Sequence, residues 1–263
     1  MLAKLIKYDL KWIYKLIIIF YALALIFSGL SRIFMSIDNS LLYTIVGQIC
    51  NATAISMIIS SLINCLMRSW VRFTRNVYGD ESYLTHTLPV EKKDIYLAKI
   101  LSAVISSLTT VVVAALCIFI MYYSKENIEA LKAMLNMTAD MYGTSTFELI
   151  VIILSILFLE LLFILIIGYV GIILGHRSNK KKILKTVLWG FCLYMMTSFL
   201  SLVVLYIISL FDHSIKSIIL SNTLESALML KKMLIYGFAI YLIYNVAYFF
   251  FGKYLFNKGV NVD

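Results

Sequence analysis

Residues 147–175 read FELIVIILSILFLELLFILIIGYVGIILG, and this stretch decides the fold class. Twenty-nine residues pass with only two carboxylates, Glu148 at the edge and Glu160 at the centre. A helix of that length is more than enough to cross about 30 Å of hydrocarbon. Period-2 alternation is absent, so a barrel strand is excluded. A helix, which satisfies every backbone group within its own segment, is the structure left for such a run in lipid.

Five further apolar runs repeat the pattern at about 16–36, 41–66, 98–123, 184–211 and 232–256. The chain of 263 residues is 62% hydrophobic and 14% charged, where a soluble domain carries about 25% charge. Mean hydropathy is +0.93. Together these predict an all-α, polytopic membrane protein with six transmembrane helices, organised as a single transmembrane domain over 1–263. No cleavable signal peptide is expected, because the first fifteen residues are charged throughout and no small-residue cleavage pattern follows.

The formal charge of +9 raises nucleic acid as a partner, but its placement reads as topology. Lys4, Lys7, Lys11 and Lys15 precede the first run. Arg68, Arg72, Arg75, Lys92, Lys93 and Lys99 lie between the second and third. Arg177, Lys180, Lys181, Lys182 and Lys185 lie between the fourth and fifth, and Lys253 and Lys258 at the tail. Only Arg32, Lys125, Lys132, Lys216, Lys231 and Lys232 fall on the other side. The positive-inside rule then puts both termini in the cytoplasm. No nucleic-acid partner is expected, and the lipid bilayer is.

On a helix, Lys4, Lys7, Lys11 and Lys15 share one narrow face, while Leu2, Leu5, Ile6, Leu10 and Ile13 share the opposite one. Residues 1–15 therefore read as an interfacial amphipathic helix that turns into span one. Asp9 projects into its apolar face, where an unpaired carboxylate is costly. Two readings are open: a salt bridge to Arg72 or Arg75, or a snorkelling or frayed position.

The outer loop 124–146 shows helical spacing too: Ile128, Leu131 and Leu135 suit a short surface helix that ends near Gly143. A weaker counterpart spans 212–231. Inside the spans, polar residues are candidates for function because lipid penalises them. Glu160 shares a face with Gly168, Gly171 and Gly175, which reads as a carboxylate facing a cavity or as helix-to-helix glue. Span six aligns Gly237, Tyr241, Tyr244, Asn245, Tyr248 and Gly252, a wet cleft or a packing seam. Thr53, Ser56, Ser60 and Asn64 align on span two, and Ser102, Ser106 and Thr109 on span three. Small hydroxyl residues suit close helix packing, a dimer interface or a pathway.

Several chemistries lack their residues. There is no GxxxxGK[ST] loop and no HExxH. His86, His176 and His213 are scattered over different loops, and Cys50, Cys65, Cys117 and Cys192 lie in apolar runs without CxxC spacing. No metal site or bound cofactor is expected. Asp80, Glu81, Glu91 and Asp94 could be offered as ligands of a lipid-modifying membrane enzyme, but their spacing matches no mechanism.

The polar interruption between spans two and three, the expected cytoplasmic loop 67–97, is the largest and holds the only proline, Pro89. Gly79-Asp80 punctuates it. Asp80 is placed to cap a short helix over Glu81 to Thr87, and Pro89 bars that helix from continuing. A second helical segment, from Glu91 to Lys99, leads into span three. Tyr83, Leu84 and Leu88 form an apolar patch rimmed by charge, suited to docking a protein.

The segment GDESYLTHTLPVEKKDIYLAKIL (79–101) resembles the first cytoplasmic loop of ABC-2 type transporter permeases, especially those of Gram-positive bacteria. The opening MLAKLIKYDLKW resembles the interfacial helix of that family. The resemblance implies a membrane-spanning permease subunit in a bacterial plasma membrane. It implies two partners: a second permease subunit, identical or paralogous, and a separate ABC ATPase that carries the ATP and Mg. The chain itself would be no enzyme. Tyr78, Gly79, Asp80, Glu81, Ser82, Tyr83, Leu84, Thr85, Leu88 and Pro89 would be the ATPase-docking, or coupling, residues. Glu160, Tyr241, Tyr244, Asn245, Tyr248, Ser56, Ser60 and Asn64 would line a pathway or an interface. The cargo implied is hydrophobic or amphipathic, such as a peptide, moved outward. A non-transporting regulatory or scaffold subunit would share every feature except the pathway.

Overall fold

A computed structural model of the chain describes residues 1–37, 41–178, 180–211 and 227–259. Most of the 212–231 segment, with His213 and Lys216, lies outside the described residues. The described residues form eight helices: α1 Leu2–Met35, α2 Leu41–Val77, α3 Ser82–Thr87, α4 Lys92–Tyr122, α5 Lys125–Met141, α6 Thr146–His176, α7 Lys182–Phe211 and α8 Ala227–Asn257. Six of them, α1, α2, α4, α6, α7 and α8, are long and apolar enough to cross a membrane. The chain is thus all-helical with six candidate spans, one for each of the six runs. Large apolar side chains such as Ile18, Ile59, Val112, Phe199 and Ile243 stand exposed on these helices, as lipid requires and water does not favour.

The contacts divide the chain into two compact units, residues 1–128 and 129–261, with the boundary inside α5. In the first unit α1 packs on both α2 and α4, α2 packs on α4, and α3 folds back against α2. Small side chains let these helices approach. Ala24, Ala54, Ile58, Ala114, Cys117 and Met121 form one buried cluster, and Ile13, Ile17 and Cys65 a second. A Cβ on Gly47 would lie 2.8 Å from Met35 Cγ, and Ser31 Oγ donates to the Gly47 carbonyl at 3.3 Å. In place of a hydrophobic driving force, this close packing and bonding holds helices together in lipid.

The seryl and threonyl residues of span three join the same packing. Ser102 and Ser106 are buried, Thr109 shares a 2.6 Å hydrogen bond with the Tyr14 hydroxyl, and Thr110 does the same with Tyr21.

In the second unit α6 is central and packs on α7 and α8. Ser145 caps α6 by accepting from the Glu148 backbone N–H at 3.2 Å. Gly171 and Gly175 face α7, where Cβ atoms would sit 2.9 Å from the Gly190 nitrogen and 2.6 Å from the Thr186 Cα. No larger residue fits that crossing. The α5 helix occupies the 124–146 segment, opened by Ser124 Oγ accepting from the Asn127 N–H at 3.0 Å. It closes before Gly143, whose φ of 58° places it in the left-handed region that glycine tolerates.

The N-terminal expectation differs from the structure in one respect. Residues 2–15 do not form a separate helix that turns into span one; α1 runs unbroken from Leu2 to Met35. Nothing in Trp12–Ile19 breaks a helix, and Ile13 and Ile17 continue one buried stripe across the expected joint. Lys4, Lys7, Lys11 and Lys15 are all exposed along its other side.

Candidate functional site

Where α2 runs beyond its apolar stretch, its basic residues meet the N-terminal part of α1 and the first turns of α4. Asp9 is the hub. It is 2% exposed, and both of its oxygens accept from Lys99 Nζ, at 2.7 and 2.8 Å. Its Oδ1 also accepts from Arg72 Nε at 2.8 Å. Of the two readings of Asp9, the paired one holds, with Arg72 as the arginine. A carboxylate on an apolar helix face survives there because two cations and their hydrogen bonds replace water.

Arg72 carries the network outward. Its second guanidinium arm donates from Nη1 to Glu81 Oε2 at 2.7 Å, and Asn76 Nδ2 donates to the same oxygen at 3.1 Å. Glu81 is the N-cap residue, just before the first residue of α3. Partial burial pushes the Glu81 carboxyl up, but the Asn76 hydrogen bond and the Arg72 charge outweigh it and hold the group below its usual range. One turn earlier on α2, Arg68 donates to the Trp12 and Ile13 carbonyls at 2.7 and 3.0 Å and stacks 4.3 Å over the Trp12 ring. These contacts pin α2 to α1 at the level of the cluster.

The loop built on this base is short. Tyr78 and Gly79 both donate backbone N–H groups to the Thr74 carbonyl, ending α2, and the Tyr78 ring meets Phe73 edge-on. A Cβ on Gly79 would lie 3.1 Å from the Arg75 Cα and carbonyl oxygen, so a side chain there would require the Arg75 backbone to shift by a few tenths of an ångström. The six-residue α3 then buries Ser82 and Thr85 and exposes Tyr83 and Leu84, which are 75% and 68% accessible. Leu88, also exposed, has extended backbone (ψ 138°), as the residue before Pro89 requires. Glu91 precedes the first residue of α4 and pairs with Lys93 at 2.6 Å.

One expectation for this loop fails. Asp80 does not cap α3: it is exposed, the N-cap position belongs to Glu81, and no side chain caps the helix. The Glu81 carboxylate is drawn instead to Arg72 and Asn76. A tertiary ion pair outcompetes the local cap.

The other candidates separate into packing and surface. Phe163 of α6 is 3% exposed and lies within 6.3 Å, centroid to centroid, of the rings of Tyr194, Tyr241, Tyr244 and Tyr248. Tyr248 shares a 2.7 Å hydrogen bond with Thr197, and Asn245 Nδ2 donates to the Leu159 carbonyl at 2.9 Å. The tyrosine face is thus a seam joining α6, α7 and α8. Glu160, half-buried, lies within electrostatic reach of Tyr241. On α2, Ser56 is exposed, Ser60 and Asn64 are half-buried, and Asn64 Nδ2 donates to the Ser60 carbonyl at 2.8 Å. That stripe faces away from the core of its unit, whose α2 contribution is Ala54, Ile58, Ser61 and Cys65.

Sequence reasoning did not pair Lys99 or Asn76 with anything. The signal for Lys99 lies in its neighbours: Ile95, Tyr96, Ala98 and Ile100 are all buried. A lysine within such a stretch requires a carboxylate.

The six long apolar helices define the chain as a multi-pass membrane protein. Comparison with family models, curated proteins and solved structures gives no match.

Proposed function

We propose that the chain is the membrane-spanning subunit of an ABC transporter of the ABC-2 permease type, resident in a bacterial plasma membrane. Both termini and the 78–91 loop face the cytoplasm. A separate ATPase subunit docks on Tyr83, Leu84 and Leu88. A second permease copy or paralogue completes the transporter, which exports hydrophobic or amphipathic cargo such as peptides.

One observation carries this reading. The exposed apolar patch sits on and beside a short helix whose N-cap residue, Glu81, is tied through Arg72 and Asp9 to Lys99, so one ion network links α1, α2 and α4 to the patch. A push on α3 would be delivered to three spans at once. ATP hydrolysis does work on the spans only if its two states bind the loop differently.

Co-expression with a candidate ABC ATPase partner tests the reading. Leu84→Glu and Leu88→Asp should each abolish co-purification while leaving the permease folded. Intact complexes in both variants would remove the docking assignment.

A scaffold or regulatory subunit without a pathway is the second reading. Its support is the tyrosine seam, which is filled by Phe163. Cargo-stimulated ATPase activity in liposomes separates the two, because a scaffold would not confer it.

A further inference from the structure

A groove opens between the end of α6 and the start of α7. Its mouth is basic. Arg177 and Lys185 both line it, together with Ser178. Lys185 Nζ donates to Ser178 Oγ, and Arg177 Nη2 donates to the Leu255 carbonyl at 3.2 Å. These bonds fix both heads at the mouth while leaving further N–H groups on each to donate elsewhere. Among the described residues neither cation has a carboxylate partner.

Below the mouth the lining turns apolar. Leu174 closes one wall, and Leu188, Trp189 and Cys192 follow Lys185 along one face of α7. From Lys185 to Cys192 a helix rises about 10 Å. The groove therefore runs from the level where both spans end to well inside the hydrocarbon. Trp189 is half-exposed within it, an indole placed near the interface that tryptophan favours. The crossing at Gly171, Gly175, Thr186 and Gly190 brings the two helices close enough to share one groove.

A basic mouth over an apolar slot that lies open towards lipid matches one ligand class. We infer that this groove binds an anionic phospholipid, its phosphate between Arg177 and Lys185 and an acyl chain along Leu188, Trp189 and Cys192. A zwitterionic lipid offers the same chain but no net charge. A soluble phosphate ester offers the charge but no chain. The inference does not depend on the transporter reading.

Native mass spectrometry of the full chain, titrated with phosphatidylglycerol or phosphatidylcholine of identical chains, tests it. Phosphatidylglycerol should be retained preferentially. Arg177→Gln with Lys185→Gln should lower that retention by roughly ten- to thirtyfold, the effect of two cations at a membrane surface. Lys180→Gln with Lys181→Gln removes equal charge outside the groove and should leave retention unchanged. Glycerol 3-phosphate at matched concentration should not displace the lipid. Equal retention of phosphatidylcholine, equal loss in the Lys180/Lys181 variant, or displacement by glycerol 3-phosphate would each overturn the assignment.

A second measurement leaves the basic residues intact. The fluorescence component lost in Trp189→Phe should be quenched at lower mole fraction by dibrominated phosphatidylglycerol than by dibrominated phosphatidylcholine. Equal quenching would also overturn it.

Discussion

Removing the hub of the ion cluster should be far more damaging than removing the cluster. Asp9 holds Lys99 and Arg72 at 2.7–2.8 Å, and both members of the Asp9–Lys99 pair are at least 95% buried as side chains. At an effective dielectric of 20 each such contact has a gross attraction of about 6 kcal/mol, which desolvation largely offsets. Asp9→Ala keeps the desolvation and deletes the attraction, setting two buried cations beside each other. The expected net loss is about 3–5 kcal/mol. For a chain of this size that lowers the thermal midpoint by roughly 6–20 °C. Asp9→Leu combined with Lys99→Met removes charge from both sides and leaves Arg72 to Glu81. That pair should recover most of the loss, because an apolar replacement of a buried ion pair is often neutral or better. The assay is thermal unfolding of the purified chain in one detergent, comparing the single and double variants. A single variant within about 2 °C of the parent, or a double variant no better than the single, would refute the buried-pair reasoning.

Three more outcomes follow from the geometry. The Glu81 carboxyl is held below its ordinary range, so its tether to Arg72 contributes fully above that range and is lost as pH falls through the lowered value; hydrogen exchange at 78–91, corrected for intrinsic rates, should rise only on acidification below the ordinary glutamate range in the parent and be raised already at neutral pH in Glu81→Gln. Gly175→Leu drives a side chain into the Thr186 backbone and should cost more than the 1–3 kcal/mol typical of overpacking, read as a thermal shift, whereas Gly237→Ala, with open space around it, should cost almost nothing. Phe163→Ala empties the centre of the tyrosine seam and should destabilise by about 3–5 kcal/mol, read by the same thermal shift.

The spans were legible because lipid imposes one requirement, an apolar run long enough to cross, and six runs meet it. The interruption at Gly79 and Pro89 was legible for a local reason: a Gly-Asp pair punctuates a helix, and a proline ring cannot join one. Asp9 announced its need for a partner by sitting among apolar residues. Its second cation, Lys99, did not stand out, since ninety residues separate the two and a lysine before a span reads as topology. The Asp80 cap failed for the converse reason. Local capping rules treat Asp80 and Glu81 as neighbours competing for a helix end, but Arg72 and Asn76, brought near by the fold, decide where the Glu81 carboxylate goes. The unbroken α1 hid behind a change in composition at residue 16 that alters what surrounds the helix without altering its backbone. The tyrosine face of α8 had two readings, cleft and seam, and only the presence of Phe163 opposite it separates them.

The central claim is that the exposed face of α3 is where an ATPase engages the spans. A photo-crosslinking amino acid placed at Tyr83, in cells co-expressing a candidate ABC ATPase partner, tests it most directly. Leu131 on α5, also exposed and on the opposite side in the proposed topology, is the control position. The account predicts an adduct of permease and ATPase from position 83 and none from 131. No adduct at 83, or one at 131, would contradict it.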